Sequence, residues 1–367
     1  MKAAVLNGPQ TALSIEDLEV DSPGPTEAVV KVIAAGVCHS DLHFIEGTYP
    51  TQYPTVLGHE VAGVVSEVGT AVTNVSVGDR VIIGFVQPCG HCGDCDSGRP
   101  NLCRQGAPRR EQPGLTRGGE GVTQMANVGG FAEYVITYAS GLVKVTDDIP
   151  LEIAALVGCS VMTGYGAVVN TAGVTPGSTV AVIGAGGVGL NIIQAAALAG
   201  AQKVIAVDMV EHKLATARNF GATDVVDASE GDPIAKVQEL TGGGCDFAFE
   251  AIGLKATSEQ AYQMARRGGT AIVVGMVPPL DKIEVSGMIW MEEKTLKGSF
   301  YGGARFHRDM PNILNLYRQG KLDLDGLVTR RYKLDEIMTH STLLEMAKLR
   351  DQCSRLELSS VSCFLSM

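Results

Sequence analysis

The sequence lacks an excess of basic residues. Its 367 residues include 29 Lys and Arg against 40 Asp and Glu, which gives a formal net charge of −11 at pH 7. Nucleic acids and anionic membrane surfaces are bound through clustered positive charge, so an acidic surface repels them. We therefore expect neither a nucleic-acid partner nor a membrane partner.

A long uninterrupted apolar run is also missing. The amino terminus carries one Lys and then four apolar residues before Asn7, which is too short for the core of a signal peptide. The most apolar stretch, residues 180–207, is interrupted by Asn191, Gln194 and several glycines, so it does not match a membrane-spanning helix. These features predict a cytoplasmic protein.

Glycine, in contrast, is abundant, and its 45 residues are spread along the chain. This distribution indicates many tight turns, and the length suits two domains better than one small core. Residues 1 to about 150 alternate apolar and polar positions between turn residues, which predicts a β-rich unit. Residues 104–130 are rich in Gly and Arg and predict a long loop. From about residue 160 to 298, strand and helix patterns alternate, which predicts a doubly wound α/β domain with a parallel sheet.

Residues that are soft metal ligands lie at both ends of one short segment, residues 38–60. Cys38 lies at its start, and His59 and Glu60 end it. Zinc binds thiolate and imidazole, and a catalytic zinc has three protein ligands and a fourth position for water or substrate. Cys159, in an apolar helical pattern without a cysteine partner nearby, is our candidate third ligand. Taken alone, the pair of Cys38 and His59 would be more typical of a buried thiol and a satisfied core histidine.

Four further cysteines lie within fifteen residues. They are Cys89, Cys92, Cys95 and Cys103. Spacings of two residues place thiolates close enough to share one ion, and four sulfur ligands leave no open position. The pattern predicts a structural zinc site. A redox-active or disulfide cluster and an iron–sulfur cluster are the alternatives.

A glycine turn follows the first strand of the doubly wound region. In GSTVAVIGAGGVGL, Gly184, Gly186 and Gly189 separate an apolar strand from a helix, and the next strand ends at Asp208. Such glycines let backbone amides approach a pyrophosphate at the helix amino terminus. The carboxylate can bind ribose hydroxyls and would repel a 2′-phosphate, so the pattern favours NAD over NADP. A purely structural tight turn is the alternative.

Together these motifs resemble the zinc-dependent alcohol dehydrogenases of the medium-chain dehydrogenase/reductase superfamily, over residues 2 to about 337. The matching segments are Cys38 to His43, Gly58-His59-Glu60, the four cysteines, Gly158-Cys159, and the glycine turn with Asp208. The resemblance implies an α/β fold with a GroES-like catalytic domain over residues 1–159 and an NAD-binding Rossmann domain over residues 160–298. Residues 299–367 would return to the catalytic domain.

The resemblance also implies roles for individual residues and two Zn per chain. The catalytic zinc ligands would be Cys38, His59 and Cys159. Asp41 would orient His59, and Glu60 would lie behind the metal. The alcohol oxygen would take the fourth zinc position, its proton would leave through Ser40, the cofactor ribose and His43, and hydride would pass to NAD.

Further residues are implied to bind the cofactor or line the substrate pocket. The cofactor residues are His39, Gly184, Gly186, Gly187, Val188, Gly189, Asp208, Lys213 and Gly275. His39 stands where many relatives have an Arg facing the pyrophosphate. The pocket residues are Tyr49, Phe85, Met276 and Phe300. All four are large and uncharged, so an uncharged primary or secondary alcohol, including allylic and aromatic ones, fits better than a polyol or an anion.

The expected function is therefore oxidation of a small-molecule alcohol, or reduction of its aldehyde or ketone, in a homo-oligomer. Strands near residues 283–301 resemble the edge through which family subunits pair, which implies a homodimer, with a tetramer as the alternative. Two other functions compete. One is a thiol-adduct formaldehyde dehydrogenase or dismutase, although glutathione-dependent relatives have an acidic residue at the position of Tyr49. The other is a catalytically silent NAD-binding homologue.

The sequence after Ile337 departs from the family pattern. Family members end with a helix and a strand that carries a phosphate-binding Arg, whereas residues 338–367 are polar and Ser-rich and contain two cysteines. A shifted reading frame would explain this ending, and DNA sequencing would test it. If the tail is expressed as written, we expect lower stability.

Overall fold

The computed structural model describes residues 1–104, 113–337 and 362–366. The strands are β1 Lys2–Leu6, β2 Ser14–Asp17, β3 Glu19–Val20, β4 Glu27–Val37, β5 Thr55–Val56, β6 Glu60–Val68, β7 Arg80–Ile83, β8 Leu115–Arg117, β9 Glu120–Gln124, β10 Tyr134–Tyr138, β11 Leu142–Lys144, β12 Thr179–Ile183, β13 Lys203–Asp208, β14 Asp224–Asp227, β15 Cys245–Glu250, β16 Ala265–Val273, β17 Thr295–Gly298, β18 Val328–Tyr332 and β19 Ser362–Ser366. The α-helices are α1 His39–Glu46, α2 Gly93–Asp96, α3 Leu151–Val157, α4 Ser160–Gly166, α5 Gly187–Leu198, α6 Glu211–Asn219, α7 Pro233–Thr241, α8 Lys255–Met264, α9 Ile289–Glu292 and α10 Phe306–Arg318. A π-helical turn, Ala167–Ala172, continues α4.

Two sheets form the first part of the chain. One has the order β2-β1-β5-β9-β8-β3, and the other has the order β11-β7-β6-β4-β19-β18, with β10 also paired to β4. In β4, Val30 and Val32 are buried whereas Lys31 and Ile33 are exposed, as the two-residue period of a strand requires. The long, nearly continuous pairing of β4 with β6 brings Cys38, just after β4, beside His59, just before β6.

The second part of the chain is a parallel sheet in the order β14-β13-β12-β15-β16-β17. Val180 and Val182 of β12 pack into one apolar cluster, and Ala181 and Ile183 pack into another on the opposite face. Both faces of the strand are therefore buried, which explains why its sequence reads as a continuous apolar run. The predicted doubly wound architecture is present. The exact domain boundaries at residues 159 and 298 stay a prediction.

Within the predicted long loop at residues 104–130, the described residues 113–130 form more regular structure than a loop. Strands β8 and β9 make an antiparallel hairpin, in which Arg117 pairs with Glu120. The two connecting residues, Gly118 and Gly119, have φ values of 54° and 88°. Two successive positive φ values match the twist of a two-residue hairpin turn and favour glycine there. The prediction was wrong for this hairpin because a Gly-Gly pair between short strands was overlooked. Residues 105–112 lie outside the described residues.

Strands were expected near residues 283–301. Among the described residues this stretch contains one strand, β17, and residues 283–288 form no paired strand. Helix α8 ends at Met264, and the chain continues directly into β16. Helix α10 begins at Phe306, where the Asp309 carboxylate accepts a hydrogen bond from the Arg305 amide.

The described end of the chain supplies one more strand. β19 runs parallel to β18 and antiparallel to β4, so it fills the position between them. Its sequence, SCFLS, contains no Arg. A late strand is thus present, whereas the rest of the atypical tail, residues 338–361, lies outside the described residues. Among the described helices none is by itself long and apolar enough to cross a membrane. Leu151–Val157 and Ser160–Ala172 meet the length and composition criteria only as a bent pair.

Candidate active site and zinc centres

The amino terminus of α1 is built around Asp41. Its Oδ2 accepts a hydrogen bond from the backbone amide of Cys38, at 2.9 Å, and so closes the first turn of the helix. Its Oδ1 accepts the amide of Gly58, at 3.1 Å, and lies 3.3 Å from Nδ1 of His59. Because Asp41 is fully buried, this carboxylate fixes both segments against each other.

Cys159 reaches the same place from a break between two helices. Helices α3 and α4 meet at an angle of 46°, and Cys159 lies at this break with non-helical φ and ψ of −143° and −78°. Donor atoms of Cys38, His59, Glu60 and Cys159 all lie within 4.8 Å of one another. The structure therefore brings the three predicted catalytic ligands together and places Glu60 beside them.

The charges of this cluster suit a cation. A hydrogen bond from Cys159 holds the pKa of the Cys38 thiol well below its usual value, whereas this contact and burial raise the pKa of Cys159. Burial alone would lower the pKa of His59, but the charges of Asp41 and Cys38 raise it instead. The two thiols share one proton, and the neighbouring imidazole lies in a negative potential. Zn²⁺ binds thiolates and imidazole of this kind and releases their protons when it binds.

Glu60 is held away from solvent by its own partners. Its carboxylate accepts the amide of Ser160, the first residue of α4, at 3.2 Å and lies 3.5 Å from the Ser160 hydroxyl. A Cβ atom on Gly36 would come within 2.3 Å of Glu60 Oε2, so only glycine fits opposite this side chain. Burial and the charge of Cys38 raise the pKa of Glu60 to about 8. Glu60 thus lies behind the cluster and joins β6 to α4.

The second cysteine cluster also forms. The thiol sulfurs of Cys89, Cys92, Cys95 and Cys103 lie within 4.8 Å of one another. A backbone hydrogen bond from Cys95 lowers the pKa of Cys92 to about 7, and Cys103 accepts the amide of Cys89 at 3.3 Å. Such backbone donors stabilise thiolates, and four thiolates in this arrangement fit a closed tetrahedral Zn²⁺.

The glycine turn lies between β12 and α5. Gly184 has φ of 94°, and a Cβ atom on Gly189 would lie 1.8 Å from the Gly184 carbonyl oxygen, so both positions require glycine. Gly186, Gly187 and Val188 are half-buried and leave the start of α5 accessible to a ligand. These contacts suit a pyrophosphate bound at the helix amino terminus.

Asp208 stabilises this turn directly. Its Oδ2 accepts the amide of Ala185 at 2.8 Å, and its Oδ1 accepts the amides of Met209 and Val210. Oδ1 already accepts two hydrogen bonds, whereas Oδ2 accepts one and can take another, so one predicted contact with a ribose hydroxyl fits this geometry. Lys213 lies in the first turn of α6, just beyond Asp208.

The zinc ligands and the glycine turn are joined through helix packing. A Cβ atom on Gly164 of α4 would come within 2.6 Å of the Val188 carbonyl of α5. Helix α4 begins directly after Cys159, so the third ligand and the candidate cofactor site belong to one packed unit.

The predicted relay residues share helix α1. His43 is buried, and its ring centroid lies 5.1 Å from that of His39 and 5.6 Å from that of Tyr49. Ser40 Oγ lies 3.5 Å from Sγ of Cys38. Residues 40 and 43 are three positions apart and therefore face the same side of the helix.

The predicted pocket residues lie outside the fully buried core. Phe85 packs edge-on against His59, with ring centroids 5.6 Å apart, and lies 6.0 Å from Phe300. Phe300 is 53% exposed, and Met276, beside Gly275, is half-buried. Phe85 also packs against both apolar core clusters, and the assignment of these residues to a substrate pocket stays a prediction.

Two residues near the site were missed. Tyr301 stacks on Phe85 at 3.8 Å, and its hydroxyl donates to the carbonyl of Gly158, next to Cys159. Asn101, in the lobe of four cysteines, donates to the carbonyl of Phe300 at 2.9 Å. The Tyr-Gly-Gly turn after Phe300 was the available signal for Tyr301, whereas no local pattern marks Asn101.

The fold and these clusters define a dehydrogenase of the zinc-binding type. An alcohol dehydrogenase GroES-like domain matches residues 24–147, and a zinc-binding dehydrogenase domain matches residues 187–319. The NDMA-dependent alcohol dehydrogenase of Amycolatopsis methanolica is 41% identical over 348 residues, which cover 92% of this chain and 93% of that protein. The putative alcohol dehydrogenase D of Mycobacterium tuberculosis is 40% identical over 346 residues, 91% of this chain and 94% of that protein.

Solved structures give the same result. The crystal structure of benzyl alcohol dehydrogenase from Acinetobacter calcoaceticus matches with a TM-score of 0.90 at 32% identity, over 100% of this chain and 99% of that chain. The chain therefore belongs to the zinc-type alcohol dehydrogenases of the medium-chain dehydrogenase/reductase superfamily. The predicted fold class, a GroES-like part with a Rossmann-like part, is confirmed.

Proposed function

We propose that the chain transfers a hydride between an uncharged primary or secondary alcohol and NAD, in a reaction that depends on zinc. The observation that carries this proposal is the packing of Cys38, His59 and Cys159 onto the helix pair that also contacts the glycine turn. When bound by these three residues, zinc supplies a Lewis acid that makes the alcohol hydroxyl more acidic. The four cysteines at residues 89–103 would hold a second, structural zinc.

The remaining residues would position the reactants and move a proton. Oδ1 of Asp41 lies 3.3 Å from Nδ1 of His59, and this contact would fix the orientation of the imidazole ring. Ser40 and His43 are proposed to pass the alcohol proton towards solvent along one side of α1. His39, Lys213 and Gly275 would add contacts to the cofactor beside those of the glycine turn and Asp208.

An aromatic alcohol fits the aromatic surroundings of His59. Phe85 and Phe300 offer ring faces and edges near the zinc ligands, and no charged side chain is among the proposed pocket residues. The similarity to a benzyl alcohol dehydrogenase adds support, since that enzyme's name states an aromatic substrate. We therefore propose benzyl alcohol and related allylic alcohols as substrates, with ethanol as the poorer one.

The test combines turnover with metal analysis of the same sample. Purified protein is assayed with benzyl alcohol, cinnamyl alcohol, hexanol and ethanol, with NAD as acceptor and separately with NDMA, because the Amycolatopsis relative is named NDMA-dependent. We expect turnover with the aromatic alcohols and about two zinc ions per chain. Cys159→Ser should abolish turnover, whereas Cys245→Ala, at a buried cysteine outside both clusters, should retain it.

Other outcomes separate the alternatives. Oxidation of formaldehyde only when a thiol is present would support the thiol-adduct enzyme instead. Full zinc content and NADH binding without turnover of any alcohol would support the silent homologue.

We also propose a cytoplasmic homodimer that forms through the edge strand β17. Trp290, in the short helix α9 that precedes β17 in the chain, is 74% exposed. Light scattering at several protein concentrations would test the dimer, and a monomer or a tetramer would contradict it.

A further inference from the structure

A hydrogen bond joins the segment after α1 to the segment after β16. The hydroxyl of Tyr49 donates to the backbone carbonyl of Val277, with 2.5 Å between the oxygen atoms. The two residues are 228 positions apart and belong to the two different parts of the fold. Burial raises the pKa of Tyr49, so its hydroxyl keeps the proton that it donates.

Tyr49 is itself held against the candidate proton relay. Its amide donates to the carbonyl of His43 at 3.3 Å, and its ring lies 5.6 Å from the ring of His43 and 6.2 Å from that of Phe44. The side chain is therefore fixed on the α1 side, and its hydroxyl reaches the other part of the chain.

Val277 ends a turn that is equally well fixed on its own side. The amides of Val274 and Gly275 both donate to the carbonyl of Glu250, and the amide of Val277 donates to the carbonyl of Gly275. A Cβ atom on Gly253 would come within 2.7 Å of the Met276 carbonyl, so the turn packs directly on the end of β15. It carries one proposed cofactor residue, Gly275, and one proposed pocket residue, Met276.

We propose that the Tyr49 hydroxyl is a positioning group that holds the Gly275–Val277 turn against α1 and thereby slows release of the nicotinamide cofactor. The role in cofactor release depends on the proposed function, whereas the contact itself does not. The aromatic ring at position 49 would fill the pocket wall without its hydroxyl. The hydroxyl adds the hydrogen bond to Val277, which a phenylalanine at this position would lack. Loss of one such hydrogen bond corresponds to about a fivefold change in an equilibrium or rate.

The chain offers a matched control on the same segment. Tyr53 is also half-buried, and its hydroxyl donates to the carbonyl of Phe44 at 3.4 Å, within the first part of the chain. Tyr49→Phe and Tyr53→Phe therefore remove the same atom from neighbouring residues. Only the first removes a bond to the turn at residues 275–277.

The experiment has two measurements on the full-length protein. Hydrogen–deuterium exchange of residues 274–281 reports on the turn without any cofactor or turnover. The dissociation rate of NADH, followed by its fluorescence in stopped flow, reports on cofactor release. We expect Tyr49→Phe to raise both by about fivefold, with unchanged zinc content and melting temperature, and Tyr53→Phe to leave both at the wild-type value.

Two results would overturn the proposal. Unchanged exchange of residues 274–281 in Tyr49→Phe would show that the bond does not hold the turn. Faster exchange with an unchanged NADH dissociation rate would show that the turn does not control release. If wild-type protein binds no NADH, the proposed function fails, and the exchange measurement still decides whether Tyr49 holds the turn.

Discussion

Oδ1 of Asp41 lies 3.3 Å from Nδ1 of His59, and Asp41 is fully buried. Since the same carboxylate also accepts the amides of Cys38 and Gly58, one side chain sets the distance between two zinc-ligand segments. Removal of such a contact behind a metal ligand generally lowers metal affinity by about 10- to 100-fold.

Asp41→Asn should therefore weaken zinc binding at the active site by about that factor, because the amide keeps the size of the side chain but loses its charge. Zinc content after dialysis against a graded series of chelator concentrations would measure this. Asp309→Asn is the control, since Asp309 is also buried and hydrogen-bonded but belongs to α10, away from the clusters. Equal zinc loss in both variants would contradict the role of Asp41.

Cys95→Ser should remove the structural zinc. Three sulfurs and a hydroxyl bind Zn²⁺ far more weakly than four thiolates, so zinc content should fall by about one ion per chain. The melting temperature should fall as well, because the metal ties the lobe together and Asn101 links the lobe to Phe300. Calorimetry with metal analysis of the same sample would measure both.

For this prediction the control is Cys245→Ala, which removes a buried thiol without touching either cluster. It should leave the zinc content unchanged. Loss of both zinc ions in Cys95→Ser would show instead that the two sites do not fold independently.

Asp208→Asn should weaken NADH binding by about tenfold and reduce the preference for NADH over NADPH. The amide oxygen can still accept the Ala185 amide, whereas the contacts to the amides of Met209 and Val210 are lost together with the charge that repels a 2′-phosphate. Fluorescence titration with both nucleotides would give the two dissociation constants. Asp227→Asn is a matched control, because Asp227 lies opposite Asp208 in the neighbouring strand. Retained selectivity in Asp208→Asn would refute the assignment.

Glu250 should make stability depend on pH. It is buried, its Oε1 accepts three hydrogen bonds, and its Oε2 has no hydrogen-bond partner among the described residues. Burial raises its pKa above the ordinary value of 4.5. The folded state then holds a proton that the unfolded state has already lost, so this contribution to stability is complete below pH 4.5 and disappears as pH rises through the raised pKa.

In Glu250→Gln this loss should be absent. The free energy of unfolding of the variant, measured in urea between pH 4 and pH 8, should rise relative to that of the wild type as pH increases. Glu239→Gln, at an exposed position of α7, is the control for removing a charge. Parallel profiles for Glu250→Gln and wild type would count against a raised pKa.

The sequence predicted those features whose residues lie close together in the chain. The four cysteines, the segment from Cys38 to Glu60 and the glycine turn each fall within a few tens of residues, so spacing alone limits their geometry. The hairpin at Gly118 and Gly119 was equally local, and a closer interpretation of its glycines would have predicted it.

The sequence by itself determined the donor atoms and the alternation of strands and helices, because ligand chemistry and periodicity are properties of neighbouring residues. Only the tertiary structure decided which distant groups meet. Cys159 joins Cys38 through the break between α3 and α4, Tyr301 reaches Gly158, and Tyr49 reaches Val277 across 228 positions. These contacts depend on how helices and sheets pack, and packing arises from many weak apolar contacts that no short pattern in the sequence records.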